Sequence, residues 1–187
     1  METPELARPR TFDEDRLLTA AMHVFRRQGF AASSVRDLEE ATDLTSGSLY
    51  NSYRDKRGLF EAASAHYNRT VLARRIEDHA PEGAGIEGLR RLFISLLREP
   101  GGGSSGCLIT NSAVEFGRKD RPGFVTEGFA VLRDCFADRL GGNDAEAVAL
   151  LALYQGILVL IRAGYDKAAL EAMITHHFET LEKHHGC

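Results

Sequence analysis

The chain has no tryptophan, only three cysteines, three methionines and five prolines in 187 residues, and no excess of positive charge. Each shortage excludes a class of protein. Cys107, Cys135 and Cys187 are too few and too scattered for a disulfide scaffold or a zinc site, so reduced thiols and no metal or other cofactor are expected. A formal net charge of −4, from 23 basic and 27 acidic residues, gives no general pull toward nucleic acid or an anionic membrane. Any such binding has to come from a local patch. Residues 1–10 contain prolines and lack an apolar run, which reads as neither a secretory signal nor a membrane anchor and makes the cytoplasm the expected compartment.

What the sequence has in quantity is helical periodicity, with 43% hydrophobic residues to build a core and no convincing alternation of apolar and polar residues. The expected fold class is all-α. Thr11 followed by Glu14 reads as a capping box, and Leu18, Ala21, Val24 and Phe25 then share one face of a helix that Gly29 ends. Ser34 and Asp37 repeat the start signal for a short second helix running to about Thr42. Asp43 and Leu44 make a turn. Thr45 then caps a third helix through Tyr53, in which Leu49 and Tyr53 face inward while Ser46, Gly47, Tyr50 and Asn51 face outward. Asp55 caps a long fourth helix.

Two short helices joined by a tight turn and braced by a longer one form a helix-turn-helix unit over residues 34–53, whose second helix is sized for the DNA major groove. Gly47 and Ser48 are small enough to let the helix backbone approach a duplex. Thr45 and Ser46 can donate to phosphates, and Tyr50 and Asn51 can reach base edges or the sugar-phosphate chain. Lys56 can add a phosphate contact, and Arg8 and Arg10 can do so from an N-terminal arm.

The stretch from Thr11 to about Tyr67 resembles the DNA-binding domain of the TetR family of bacterial transcriptional regulators. Gly29-Phe30, Ser34-Val35-Arg36-Asp37-Leu38, Gly47-Ser48-Leu49-Tyr50 and Lys56 with Leu59-Phe60 carry the resemblance in order. It implies a homodimeric repressor that a small molecule releases from its operator. It also implies DNA contact at Ser34, Arg36, Thr45, Ser46, Gly47, Ser48, Tyr50, Asn51 and Lys56. Two positions depart from the family's pattern. Asp43 stands where the turn commonly has glycine, and Ser46 stands where many members place Lys or Arg.

The resulting expectation is an N-terminal three-helix helix-turn-helix domain over 1–56 and a C-terminal helical effector and dimerisation domain over 57–187. In the latter, Leu89, Leu92, Phe93 and Leu96 form one apolar stripe, and residues 100–106 form a Gly- and Ser-rich loop. "GCLITNSAVEF" (residues 106–116) is similar to a stretch in one subset of the family, where it opens a helix lining the effector domain. Some members of that subset sense oxidants through a thiol, which marks Cys107 as a candidate sensor beside its plainer role as a packed residue at a helix start. Phe93, Cys107, Asn111, Phe116, Leu132, Phe136, Tyr154 and Gln155 are the candidate pocket residues, each apolar or singly polar on a core-facing helix. An enzymatic alternative would use Ser104 or Cys107. Ser104 sits in a Gly-x-Ser-x-Gly match, but a helix rather than a strand precedes it.

Residues 145–163 are apolar on almost every side. Glu146, Gln155 and Arg162 interrupt them too often for a membrane span, so a helix buried on all faces is expected, one face inside its own subunit and another against a partner. The last helix has a stripe of Leu170, Met173, Ile174, His177, Phe178 and Leu181. The two helices, near 145–163 and 167–184, are expected to form a four-helix dimer interface. A ligand in the C-terminal core would then shift the fourth helix and change the spacing of paired recognition helices, which must match about one DNA turn, ~34 Å. The histidine pairs His176-His177 and His184-His185 point in different directions on a helix and do not form a metal site.

Overall fold

The computed structural model describes residues 10–99 and 103–185, and the regular secondary structure among them is helical throughout. Arg8, residues 100–102 and Cys187, named above, lie outside the described residues. The chain divides into two compact units, Met1–Tyr67 and Asn68–Cys187. The division falls after the fourth helix, eleven residues beyond the boundary expected at Lys56, because that helix packs on the first one.

The first unit contains α1 (Arg10–Gln28), α2 (Val35–Thr42), α3 (Ser46–Tyr53) and α4 (Lys56–Tyr67). α1 includes Arg10, so Arg10 belongs to the helix rather than to an arm, and Thr11 lies inside it rather than at its cap. Leu18, Ala21, Met22, Val24 and Phe25 of α1 are buried against Leu59, Phe60, Ala63 and Tyr67 of α4 and the short helices. Phe60 lies 5.0 Å from Phe25 and 5.1 Å from Phe30 between ring centroids, an edge-and-tilt arrangement favoured by the ring quadrupoles. Between α1 and α4, Thr19 Oγ1 and Nε2 of the buried His66 share a 2.9 Å hydrogen bond.

The caps read at Ser34, Thr45 and Asp55 are present. The Ser34 hydroxyl accepts from the Asp37 N–H at 3.1 Å while an Asp37 oxygen accepts from the Ser34 N–H at 2.8 Å. These bonds hold the Asp37 carboxyl below its usual range, the Ser34 side chain contributing most. Asp43 turns the chain with φ 57 and ψ 33, the left-handed conformation for which Asp is better suited than most residues. Asp55 accepts from the Gly58 N–H at 2.8 Å and starts α4.

The second unit opens with a π-helical turn, Asn68–Leu72, followed by α5 (Ala73–His79), α6 (Gly85–Leu97), α7 (Leu108–Phe116), α8 (Gly123–Arg139), α9 (Asp144–Arg162) and α10 (Lys167–His185). Asn68 Nδ2 donates to the Phe124 carbonyl at 2.9 Å, and Arg139 donates from two nitrogens to the Ala80 carbonyl just past α5, at 3.2 and 2.9 Å. Phe93 sits at the centre of the core, with the rings of Phe136, Tyr154 and Phe178 at 5.7, 5.2 and 5.1 Å.

α9 is long and apolar enough to cross a membrane by length and composition, yet Tyr154, Ile157 and Ile161 are buried in the unit as core residues. Its other face is open, with Val148, Val159 and Leu160 55%, 52% and 38% exposed. α10 differs from expectation. Leu170, Ile174, Phe178 and Leu181 turn inward, on the side that packs with α6, and leave Ala169, Ala172 and His176 outside.

Replacing Phe93 with Ala should cost about 3–5 kcal/mol, read as a drop in the denaturant midpoint, because a fully buried ring is removed from among three others. Burial pushes the Tyr154 phenol from 10.0 to about 12, with Arg75 opposing the shift. The folded state therefore holds that proton more tightly than the unfolded chain. Its stabilising contribution is complete below pH 10.0 and is lost as pH rises toward about 12. Denaturation midpoints should fall over this window, and less steeply in Tyr154→Phe.

Candidate nucleic-acid interface

α3 is eight residues long and is anchored by one fully buried side chain, Leu49. Leu38 of α2, also fully buried, shares that core. Such a short helix is not stable alone, so its position rests on this packing and on its caps. The Thr45 hydroxyl accepts from the Ser48 N–H at 3.4 Å and shares a 3.2 Å hydrogen bond with the Ser48 hydroxyl. At the far end the half-buried Tyr53 donates from its hydroxyl to Glu14 of α1 at 3.2 Å. Burial, then the Glu14 charge, pushes this phenol up to about 12.

With Leu49 inward, the opposite side of α3 is open. Gly47, Ser48 and Asn51 are exposed, and Ser46 and Tyr50 are half-buried. Gly47 lies in ordinary helix, and a Cβ built there would meet only the Thr45 hydroxyl, at 3.9 Å. The protein's own fold therefore gives no reason for a glycine at this position, where alanine would favour the helix. Gly58 is the contrast, because a Cβ there would overlap the Tyr53 carbonyl.

The other expected contacts are more constrained. Ser34 is exposed, but its hydroxyl is occupied by the capping box, donating to Asp37 at 2.6 Å. Arg36 is exposed and pairs with Glu40 at 2.9 Å, a bond that an exposed pair gives up easily. Lys56 donates from Nζ to the Ser33 carbonyl and lies 4.7 Å over the Phe30 ring, so it braces the turn before α2. Arg54, immediately after α3, was not among the expected contacts. It is exposed and held at φ 68 and ψ −51, with the Asp55 N–H reaching back to the Tyr53 carbonyl at 2.8 Å. A tight γ-turn of this kind is strained for a residue with a Cβ, and only its dihedral angles reveal it.

In the second unit, Phe93, Leu132, Phe136 and Tyr154 come together as packed core. Cys107 is buried at the position preceding α7, as a packing role requires, and its side chain caps nothing. Gln155 accepts from Thr110 at 2.6 Å, Asn111 donates to the Ser105 carbonyl at 2.9 Å, and Phe116 is half-buried. None of these eight residues lines the 460 Å³ cavity formed by Arg75, His79, Arg90, Arg91, Ile94, Ser95, Arg98 and Glu99 on α5 and α6. Reading single helix faces could not find it, because its lining comes from separate segments of the chain. Its arginines have carboxylate partners: Arg75 with Glu99 at 2.8 Å, Arg90 with Glu87 at 2.6 Å and Arg98 with Glu171 at 3.5 Å. Ser104 is exposed in a turn after α6, without the strand that a nucleophile elbow needs. Among the described residues no three His, Cys, Asp or Glu side chains group as metal ligands.

Comparison with known proteins bears on the same region. The family model "Bacterial regulatory proteins, tetR family" matches residues 17–63, from within α1 to α4. Over 113 residues the chain is 32% identical to YezE of Bacillus subtilis, an uncharacterized HTH-type transcriptional regulator, covering 59% of this chain and 58% of that protein. Over 60 residues it is 42% identical to ComR of Escherichia coli, an HTH-type transcriptional repressor, covering 32% of this chain and 29% of that protein. The matched parts thus span only a little over half of one curated relative and under a third of the other. A cysteine mutant of the TetR-family regulator CifR, solved with 26-base-pair double-strand operator DNA, superposes with a TM-score of 0.69 at 26% identity, covering 92% of this chain and 98% of that one. The helix-turn-helix part of the chain, residues 17–63, thus matches the TetR family of bacterial regulatory proteins, and the chain shares the fold of the CifR regulator.

Proposed function

We propose that the chain is a homodimeric, DNA-binding transcriptional regulator, a repressor released by a small molecule, and not an enzyme. The observation that carries this reading is the open face of α3: Gly47, Ser48 and Asn51 exposed around a glycine that the fold itself does not require. A helix that enters a groove needs backbone close to the duplex, which a glycine permits. In this reading Thr45, Ser46, Gly47, Ser48, Tyr50 and Asn51 meet DNA directly, and Ser34 and Arg36 flank them on α2. Lys56 acts mainly by holding the Ser33 carbonyl. DNA binding is assigned to the unit that ends at Tyr67, and effector binding and dimerisation to the unit that follows. The compartment of such a regulator is the cytoplasm.

The dimer reading rests on the uncovered side of α9. Val148, Ala149, Ala152, Gly156, Val159, Leu160 and Ala163 are exposed and apolar at intervals of three and four. Small residues of this kind let two helices approach closely, and the outward side of α10 at Ala169, Ala172 and His176 would complete a four-helix interface with a second copy. For the effector, Arg75 connects the cavity beside α5 and α6 to the core, since it lines the former and its charge acts on the Tyr154 phenol of the latter. A ligand there would act on Phe93, Phe136 and Tyr154 through that arginine.

Gly47→Ala tests the central reading. The variant should be at least as stable as the parent, by up to about 0.5 kcal/mol, because alanine suits helical backbone better than glycine even in a first turn. It should also bind a selected duplex about tenfold more weakly, as judged by fluorescence anisotropy, roughly the loss of one good contact. Unchanged affinity would remove α3 from the interface. For assembly, Val148→Glu with Val159→Glu should convert a dimer to a monomer in sedimentation velocity, with helical circular dichroism retained.

A further inference from the structure

The first N–H groups of any α-helix lack partners within the helix. In α3 one of them is satisfied from another helix: Glu39 of α2 reaches across the turn and accepts from the Ser46 backbone N–H at 2.5 Å. Thr45 already caps the same end through the Ser48 N–H, and the first turn of α3 contains no acidic residue of its own. The carboxylate opposite the positive end of the helix dipole is therefore supplied by α2. Glu39 is half-buried, whereas its neighbour Glu40 is exposed and tied to Arg36.

This arrangement has two consequences for a helix that meets DNA. A bond from α2 to the first residue of α3 sets the angle between the two helices more tightly than Leu38 and Leu49 would alone. A helix N-terminus is also a natural phosphate site, and a carboxylate there occupies the donor and repels the phosphate. The charge extends along the helix as well, since after burial it is the Glu39 charge that most raises the Tyr50 phenol. Ser46 offers no compensating cation.

We propose that Glu39 is a positioning residue for the recognition helix and also restrains its affinity: its bond to the Ser46 N–H orients α3 on α2, and its charge keeps binding moderate. This rests on the reading of α3 as the DNA-contacting helix.

The two roles separate in two variants of the full chain. Glu39→Gln keeps the acceptor oxygen and removes the charge, whereas Glu39→Ala removes both. The probe is a duplex enriched from a randomised pool by the parent protein, titrated over a range of salt concentrations. Glu39→Gln is expected to bind about tenfold more tightly at low salt, the advantage shrinking as salt rises. Its Ser46 amide should stay protected from hydrogen exchange. Glu39→Ala is expected to lose that protection and to bind more weakly than the parent. Glutamine binding no more tightly than the parent would overturn the charge role. Alanine with parental protection and affinity would overturn the positioning role. If the parent enriches no duplex, the DNA reading fails and the affinity role with it, while Ser46 exchange still decides whether Glu39 anchors α3.

Discussion

The first unit depends on a short helix being held by what lies around it. An eight-residue helix has too few internal hydrogen bonds to offset the entropy of ordering its chain. α3 is fixed by Leu49 in the shared core, by Thr45 and Glu39 at its N-terminus and by Tyr53 on Glu14 at its C-terminus. Those attachments all lie on one side of the helix or at its ends, which is why its other side is open. The same constraint explains why α4 belongs to this unit. Without Leu59, Phe60 and Ala63, the helix-turn-helix pair would have only α1 behind it.

The second unit solves a different problem. Its core is aromatic, with Phe93 among Phe136, Tyr154 and Phe178, and polar bonds hold its helix ends: Arg139 on the Ala80 carbonyl and Lys167 on the Leu97 carbonyl at 2.8 Å. The burial that encloses Tyr154 also surrounds Cys135, whose thiol is pushed up by desolvation and is a poor nucleophile at neutral pH. Beside this filled core, α9 leaves an apolar stripe open at Val148, Val159 and Leu160.

Much of the first unit was legible in the sequence because its signals are local. Ser34 with Asp37, Asp43 at the turn, Thr45 and Asp55 act within a few residues of their own positions, and each is found where the spacing puts it. Features made by two distant segments were not legible. Nothing in the residues around Glu39 announces that it caps α3, and nothing in Lys56 announces that its partner is Ser33. The inward stripe of α10 was visible as a stripe, but periodicity does not say whether the protomer's own core or another subunit covers it. The cavity beside Arg75 is lined from separate segments, and the strained backbone at Arg54 leaves no compositional trace.

The assignment of α3 as the surface that meets a duplex is tested most directly by amide chemical shifts of the full chain titrated with a duplex enriched from a randomised pool. Saturable shifts at Ser46, Gly47, Ser48 and Asn51, with the amides of α9 and α10 little changed, are the expected result. Shifts that leave these four residues untouched while others move would contradict it.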